Sequence, residues 1–477
     1  MRKVIILILQ LLLVTLYAIL PNTMDSTIMS FVLVIVAFSV FLFFTKKDKI
    51  FQLNGQFLKH SNLFVFGFLV VHFQSYIDFS LGNITKDDTF IWVNQSIVIK
   101  SMILSAIGLL SFFLGFFSCK ANCSHVTREF RVGREKYISV KFLTYLSTVV
   151  LSVYFYTVNP LYLLGFYGIE NMGVTATYMS LLFNVLIFAV IIQTSRNLRN
   201  QNKIPTNFKQ YIKLMDYHLL ILLVFYLVSV MLSGDRGPLM TYGLCFISGY
   251  FFVKKIKLSH KKGILFIFTS AIVISILGMA RNLNKDLSFN EKIQLSLAEN
   301  ANDSRISFLP VTKELAGSVR TLHHAVNYVP LYHDFLYGRF QFQYLTVAIP
   351  FFSIFSPIIY EDTSWKYSGS SSFITWIRQG DFPTSGDGTS CIADFYLDFG
   401  MLGVLLGMFI FGYFMRFAEV KMYSANIPNL FLHVFIIVYL SDAIYISRSS
   451  VLFGFKITVL IYTVLIINKY IFNKTRL

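Results

Sequence analysis

Apolar stretches of about 18 residues or more, each long enough to cross a bilayer core of roughly 30 Å, recur along this chain from Val4 to Ile467. Inside a bilayer every backbone N–H and C=O must find its partner within the chain, which confines such runs to helices. Composition agrees: of 477 residues, 55% are hydrophobic and 14% charged, against about 25% charged in soluble domains. The expected fold is therefore an all-α polytopic membrane protein. The net charge of +17 then reports loop orientation, and no nucleic-acid partner is expected.

Taken in order, the apolar runs give about twelve transmembrane helices. Met1-Arg2-Lys3 and the run to Leu20 resemble a signal peptide, but no small-x-small cleavage site follows, so this run is expected to stay as the first span. The links holding Lys46, Lys47 and Lys49, then Arg128 to Lys141, Arg196 to Lys213, Lys254 to Lys262, and Arg416 and Lys421 are basic. With both termini inside, all of them fall on the cytoplasmic side. Three segments result: 1–280 with nine helices, 281–391 as one large outer loop, and 392–477 with three more. That loop is far longer than ordinary connections and rich in Tyr, Phe, Leu and Trp, so it is expected to fold as a cap rather than stay disordered. Within it, Gln343 to Tyr360 is apolar but holds Pro350 and Pro357; it is expected to lie on the membrane, because a crossing there would invert the basic tail.

Cys119, Cys123, Cys245 and Cys391 suggest no disulfide framework, and Cys119, Cys123 and His125 lack a fourth ligand, so no metal is expected. The arginines carry more information. Arg236 sits in Ser233-Gly234-Asp235-Arg236-Gly237, just before Pro238 opens a helix. A guanidinium beside a helix N-terminus suits a phosphate, and a surface Arg paired with Asp235 is the plainer alternative. Arg281 and Arg448 stand at equivalent depth and can join it or act as snorkelling anchors. Arg320, His323 and His324 share one face if their segment is helical, forming either an anion site with a proton acceptor or a solvated face with one packed His. His333, Arg339, and the i, i+4 pair Asp394 and Asp398 complete the polar candidates. Asp442 is the expected partner of Arg448, and the hydroxyl-rich run Thr384 to Ser390 can line a sugar site.

The order of these pieces resembles a known family. A Ser-Gly-x-Arg-Gly turn precedes a large outer loop with Glu314-Leu-Ala-Gly-Ser-Val-Arg320, Asn327-Tyr-Val-Pro330 and Tyr337-Gly338, and then Ala393-Asp394-Phe395-Tyr396-Leu397-Asp398-Phe399-Gly400. This resembles the O-antigen polymerases (Wzy), which join oligosaccharide repeat units of bacterial surface polysaccharides. Asp394 and Asp398 depart from the Glu and Asn expected there. The resemblance implies a GT-C-like membrane bundle with a helical cap in the periplasm, lodged in the bacterial inner membrane. It implies a metal-independent glycosyltransferase without cofactor, moving a growing glycan from undecaprenyl diphosphate onto a lipid-linked repeat unit among membrane lipids. A chain-length regulator is a partner it allows. Arg236, Arg281, Arg320, His323, His324 and Asp394 are then the catalytic candidates. Arg339, Arg448, His333, Tyr328, Tyr337 and Asp398 are the candidates for binding diphosphate or substrate, with Trp376 also offered to sugar rings. An O-antigen ligase-type enzyme and a lipid-linked oligosaccharide flippase are the alternatives; the second gives the cap no use.

Overall fold

The computed structural model describes residues 1–19, 24–46, 57–119, 140–163, 172–232, 237–254, 263, 265, 307–346, 349, 355–423 and 429–474. The expected ninth span, Arg236 and Arg281 lie outside the described residues, and so does most of 347–354. The membrane part consists of α1 (Arg2–Ile19), α2 (Ser26–Phe44), α3 (His60–Ser80), α4 (Gln95–Ser118), α5 (Val140–Thr157), α6 (Val174–Asn200), α7 (Tyr217–Leu232) and α8 (Gly237–Lys254). Among the described residues the longer helices of the cap are α9 (Val319–Tyr328), α10 (Arg339–Thr346) and α11 (Ser370–Gln379). The chain closes with α12 (Cys391–Tyr423), α13 (Leu430–Asp442) and α14 (Phe453–Lys474). Among the described residues, eight helices are long and apolar enough to cross a membrane, with shorter apolar helices at Tyr217–Met231 and Leu430–Asp442. The chain is thus an all-helical polytopic membrane protein, as its apolar runs require.

Local chemistry starts these helices. Asp25 accepts from the Thr27 N–H, Asn94 from that of Ser96 and Asn429 from that of Leu432, each satisfying a donor the first turn leaves open. Glycines then let α4 and α12 touch: a methyl on Gly115 would strike the Phe409 carbonyl, and one on Gly412 the Phe112 carbonyl. Water provides no driving force between helices in lipid, so such close backbone packing supplies it.

α12, the first helix of the 392–477 segment, is not one straight span. Phe399 (φ −140°, ψ 19°) and Gly400 (φ 59°, ψ −148°) are not helical, and the chain turns back on itself there. A methyl on Gly403 would run into the Phe395 carbonyl, and one on Gly407 would sit 2.5 Å from the Phe395 ring. Residues 395 and 403 would stand about 12 Å apart along a continuous helix. The segment is therefore a hairpin, a short first arm (391–398) lying against a long second arm (401–423), with Phe395 seated over Gly403 and Gly407.

The cap rests on the end of the bundle formed by the C-terminus of α3 and the start of α4. Asp78 accepts from Ser307 Oγ at 2.6 Å and Phe308 N at 2.8 Å, and Gln74 Nε2 donates to Leu309 O at 3.0 Å. At the far end of the bundle, Ser61 N and Oγ donate to buried Glu419 at 3.0 and 2.5 Å. Glu419 also stands 3.6 Å from Arg416. Among the described residues Gln343 to Tyr360 holds only the end of α10 and the four-residue helix Ser356–Ile359, neither long enough to span.

Candidate functional site

The most charged part of the cap is built where α9 and α11 meet the loop before α12. Gly388, at φ +77°, turns that loop so that Asp387 points back under the two helices, a conformation glycine adopts without strain. The Asp387 N–H donates to Thr375 Oγ1 at 3.0 Å. Its carboxylate receives Arg320 Nη2 at 2.9 Å, Arg378 Nε at 2.5 Å and Gln379 Nε2 at 2.8 Å. Asp387 is itself buried, while the Arg320 and Arg378 side chains remain 18% and 32% exposed. Arg320 also lies over the Phe90 ring, 4.3 Å from its centroid. Arg448 stands near enough to depress the Arg320 pKa and has no hydrogen-bond or ion-pair partner among the described residues. Two guanidiniums thus share one carboxylate with a third close to Arg320, a local excess of positive charge.

His324 shares this cluster. Burial, the largest cause, together with Arg320 and Arg378 holds its imidazole down at about 4, against the opposing pull of Asp387. The ring is neutral at ordinary pH, partly exposed, and hydrogen-bonded to none of the described residues. Arg320 is likewise lowered by burial first, then by its cationic neighbours, with Asp387 working the other way. A neutral nitrogen base beside arginines can take a proton while an anion is held next to it.

The other candidates separate by environment. His323 is fully buried; its Nε2 meets Tyr76 Oη at 2.8 Å and its Nδ1 meets Ile91 O at 3.0 Å, so both ring nitrogens are engaged in fixing α9 to the bundle. His333 Nε2 lies 2.9 Å from Tyr367 Oη. Arg339 is held between the rings of Tyr360 and Tyr367, at 4.4 and 4.1 Å, and donates to Asp362 O. Tyr337 is 73% exposed at φ 48°. Asp398 accepts from Phe340 N at 3.2 Å and Gln341 N at 2.9 Å, capping α10 from a different element. Asp394 is fully buried; its Oδ2 accepts from Gln341 Nε2 at 2.6 Å and Ser450 Oγ at 2.7 Å. Tyr328 packs edge-on against Trp376, with ring centroids 5.8 Å apart.

Two results differ from the sequence expectations. Asp442 does not pair with Arg448: no ion pair joins them among the described residues, and Asp442 is buried in α13. The carboxylate that organises the arginines is Asp387, from the hydroxyl-rich run offered as a lining for a sugar site, and Arg378 joins it. Their spacing, 67 residues from Arg320 to Asp387, leaves no local pattern. The one signal is a carboxylate flanked by Gly386 and Gly388 in a hydroxyl-rich segment.

Fold and site together define a multi-pass helical membrane protein with a cation-rich cap at one end of its bundle. The sequence matches the family of the O-antigen polysaccharide polymerase Wzy over residues 2–476, essentially the whole chain, and the protein belongs to that family. It is a repeat-unit polymerase in the general sense, an enzyme of polysaccharide biosynthesis acting on lipid-linked oligosaccharide repeat units in membranes. No curated protein and no solved structure matches it.

Proposed function

We propose that this chain lengthens a surface polysaccharide by moving the growing glycan from undecaprenyl diphosphate to the next lipid-linked repeat unit, at the periplasmic face of the inner membrane. The observation that carries this reading is the placement of Arg320 and Arg378 on buried Asp387 with Arg448 and neutral His324 beside them. In the transfer, an acceptor hydroxyl oxygen attacks the anomeric carbon of the donor sugar. The bond from that carbon to the phosphate oxygen breaks, and undecaprenyl diphosphate leaves with the bonding pair. His324 takes the hydroxyl proton. Arginine forks fixed in advance by Asp387 suit the oxygens where charge develops, and their orientation costs no reorganisation during the reaction.

The chemistry uses side chains alone and asks for no metal or cofactor. Asp394 is assigned a supporting role in the cap: its buried Oδ2 holds Gln341 Nε2 and Ser450 Oγ, while its Oδ1 has no hydrogen-bond partner among the described residues. A chain-length regulator would meet the enzyme on its periplasmic side. The test is the glycan ladder of cells carrying Arg320→Ala or Arg378→Ala. Losing one such donor should slow transfer by about a hundredfold or more, leaving surface lipid with a single repeat unit. Unaltered long chains in both variants would refute the reading, and absence of even one unit would point to a ligase.

A further inference from the structure

Arg320, His324 and Tyr328 are spaced by four residues along α9, so they form one stripe on its surface. Each step along that stripe is about 6 Å, close to the length of a sugar ring. Beyond the charged end the stripe runs into an aromatic shelf. Tyr328 stands edge-on to Trp376 (5.8 Å, 88°) and lies 5.6 Å from Tyr332, which is 72% exposed. Polar groups meet the shelf at the Trp376 edge and over one Trp376 face. Trp376 Nε1 donates to Asp381 Oδ1 at 2.9 Å, and Lys366 Nζ lies 4.7 Å from the centre of the Trp376 ring. Asn327, next to Tyr328 in sequence, accepts from Asn94 Nδ2 through its Oδ1 at 2.9 Å.

We infer that Tyr328, Tyr332 and Trp376 form a glycan-binding shelf that seats the donor sugar next in line after the reacting one. This assignment rests on the polymerase reading above, because it takes the diphosphate at Arg320 and the reacting anomeric carbon beside His324 as its origin. The glycan then runs along α9 from its N-terminus toward its C-terminus. The chemistry of the shelf matches a pyranose: the exposed Tyr332 ring and the aromatic faces left uncovered by Lys366 meet the C–H face of the ring, and Asp381 and Lys366 meet its hydroxyl edge. Tyr and Trp provide such amphipathic contact at small entropic cost. A lipid surface would find the shelf interrupted by Asp381 and by the Lys366–Asp362 ion pair at 3.5 Å.

The test uses the purified full-length protein in nanodiscs, titrated calorimetrically with the repeat-unit oligosaccharide released from its own lipid carrier by mild acid. This probe carries no phosphate. Tyr328→Ala and Trp376→Ala should each bind it about tenfold more weakly, Tyr328→Phe should bind as the parent does, and Arg320→Ala should bind it unchanged. Parent-like binding by Tyr328→Ala and Trp376→Ala, or no saturable binding by the parent protein, would overturn the shelf. The two readings fail separately. If Arg320→Ala cells still make long chains while Tyr328→Ala loses the oligosaccharide, the anion site is wrong and the shelf stands. If Arg320→Ala abolishes chains while both aromatic variants bind normally, the shelf is wrong and the anion site stands.

Discussion

At the level of single residues, two buried carboxylates divide the labour of the cap. Asp387 holds two partly exposed arginines; the buried Asp394 accepts from neutral donors, Gln341 and Ser450. This difference makes Asp394 testable against a role as general base. An Asp394→Asn side chain can keep its oxygen on Gln341 Nε2 and Ser450 Oγ, so chain length should stay near that of the parent. Asp394→Ala strands both donors in the interior, at a cost of about 1–3 kcal/mol for an unsatisfied buried group, read as a lower melting temperature of the purified protein. If Asp394→Asn is as inactive as Asp394→Ala while both stay folded, the carboxylate itself reacts. His324 gives a second residue-level expectation. With its imidazole held at about 4, the base form persists down to that pH, and kcat/KM should fall only as pH drops through about 4 rather than near 6.5. A bound diphosphate brings negative charge among the arginines and stabilises the imidazolium, so the acid limb of kcat should lie at higher pH than that of kcat/KM. Coincident limbs, or limbs unchanged in His324→Gln, would exclude this histidine. The arginines and histidines were visible in the sequence as cations in an outer loop. Which two of them share a carboxylate was not, because Asp387 reaches Arg320 only through the tertiary turn at Gly388.

Among the helices, those whose apolar runs are long enough to cross a bilayer were legible, α3 and α4 among them. The hairpin in α12 was not. Its turn follows directly on Asp398, and neither Phe399 nor Gly400 breaks the apolar character that the run keeps beyond it. What marks it is Gly400 followed by Gly403 and Gly407, a spacing that serves equally well for helix–helix contact in a straight span. The hairpin has a mechanical consequence. Its first arm carries Asp398 onto the start of α10 and its carbonyls at Leu397 and Asp398 receive Leu336 N and Tyr337 N, at 3.0 and 2.9 Å. The cap is therefore fastened to the membrane part through this arm. Gly403→Val should push the arms apart, with overpacking costs of about 1–3 kcal/mol. It should make the 330–346 region more sensitive to protease in detergent while leaving the α5–α6 pair unaffected. Uniform destabilisation of the whole chain would argue against a hairpin that holds the cap locally.

Across the whole molecule, the charges sort by end of the bundle. The cap, its arginine cluster and the α3–α4 connection occupy one end; Lys203, Lys209, Lys213, Lys254, Arg416 and Lys421 lie along links or helix ends at the other. Cationic links are retained on the cytoplasmic side of a membrane; in the orientation proposed above the cap lies outside, where a lipid-linked repeat unit would be extended without a nucleotide donor. The orientation can be measured without reference to activity. Cysteine placed at Ser364, in the cap, should react with a membrane-impermeant maleimide in intact spheroplasts. Cysteine placed at Lys203 should react only after the membrane is opened. The native thiols at Cys245 and Cys391 are buried, and the parent protein gives the background from the remainder. The reverse pattern would put the arginine cluster in the cytoplasm, away from any periplasmic carrier, and the proposed transfer would have no substrate to act on whatever the geometry around Asp387.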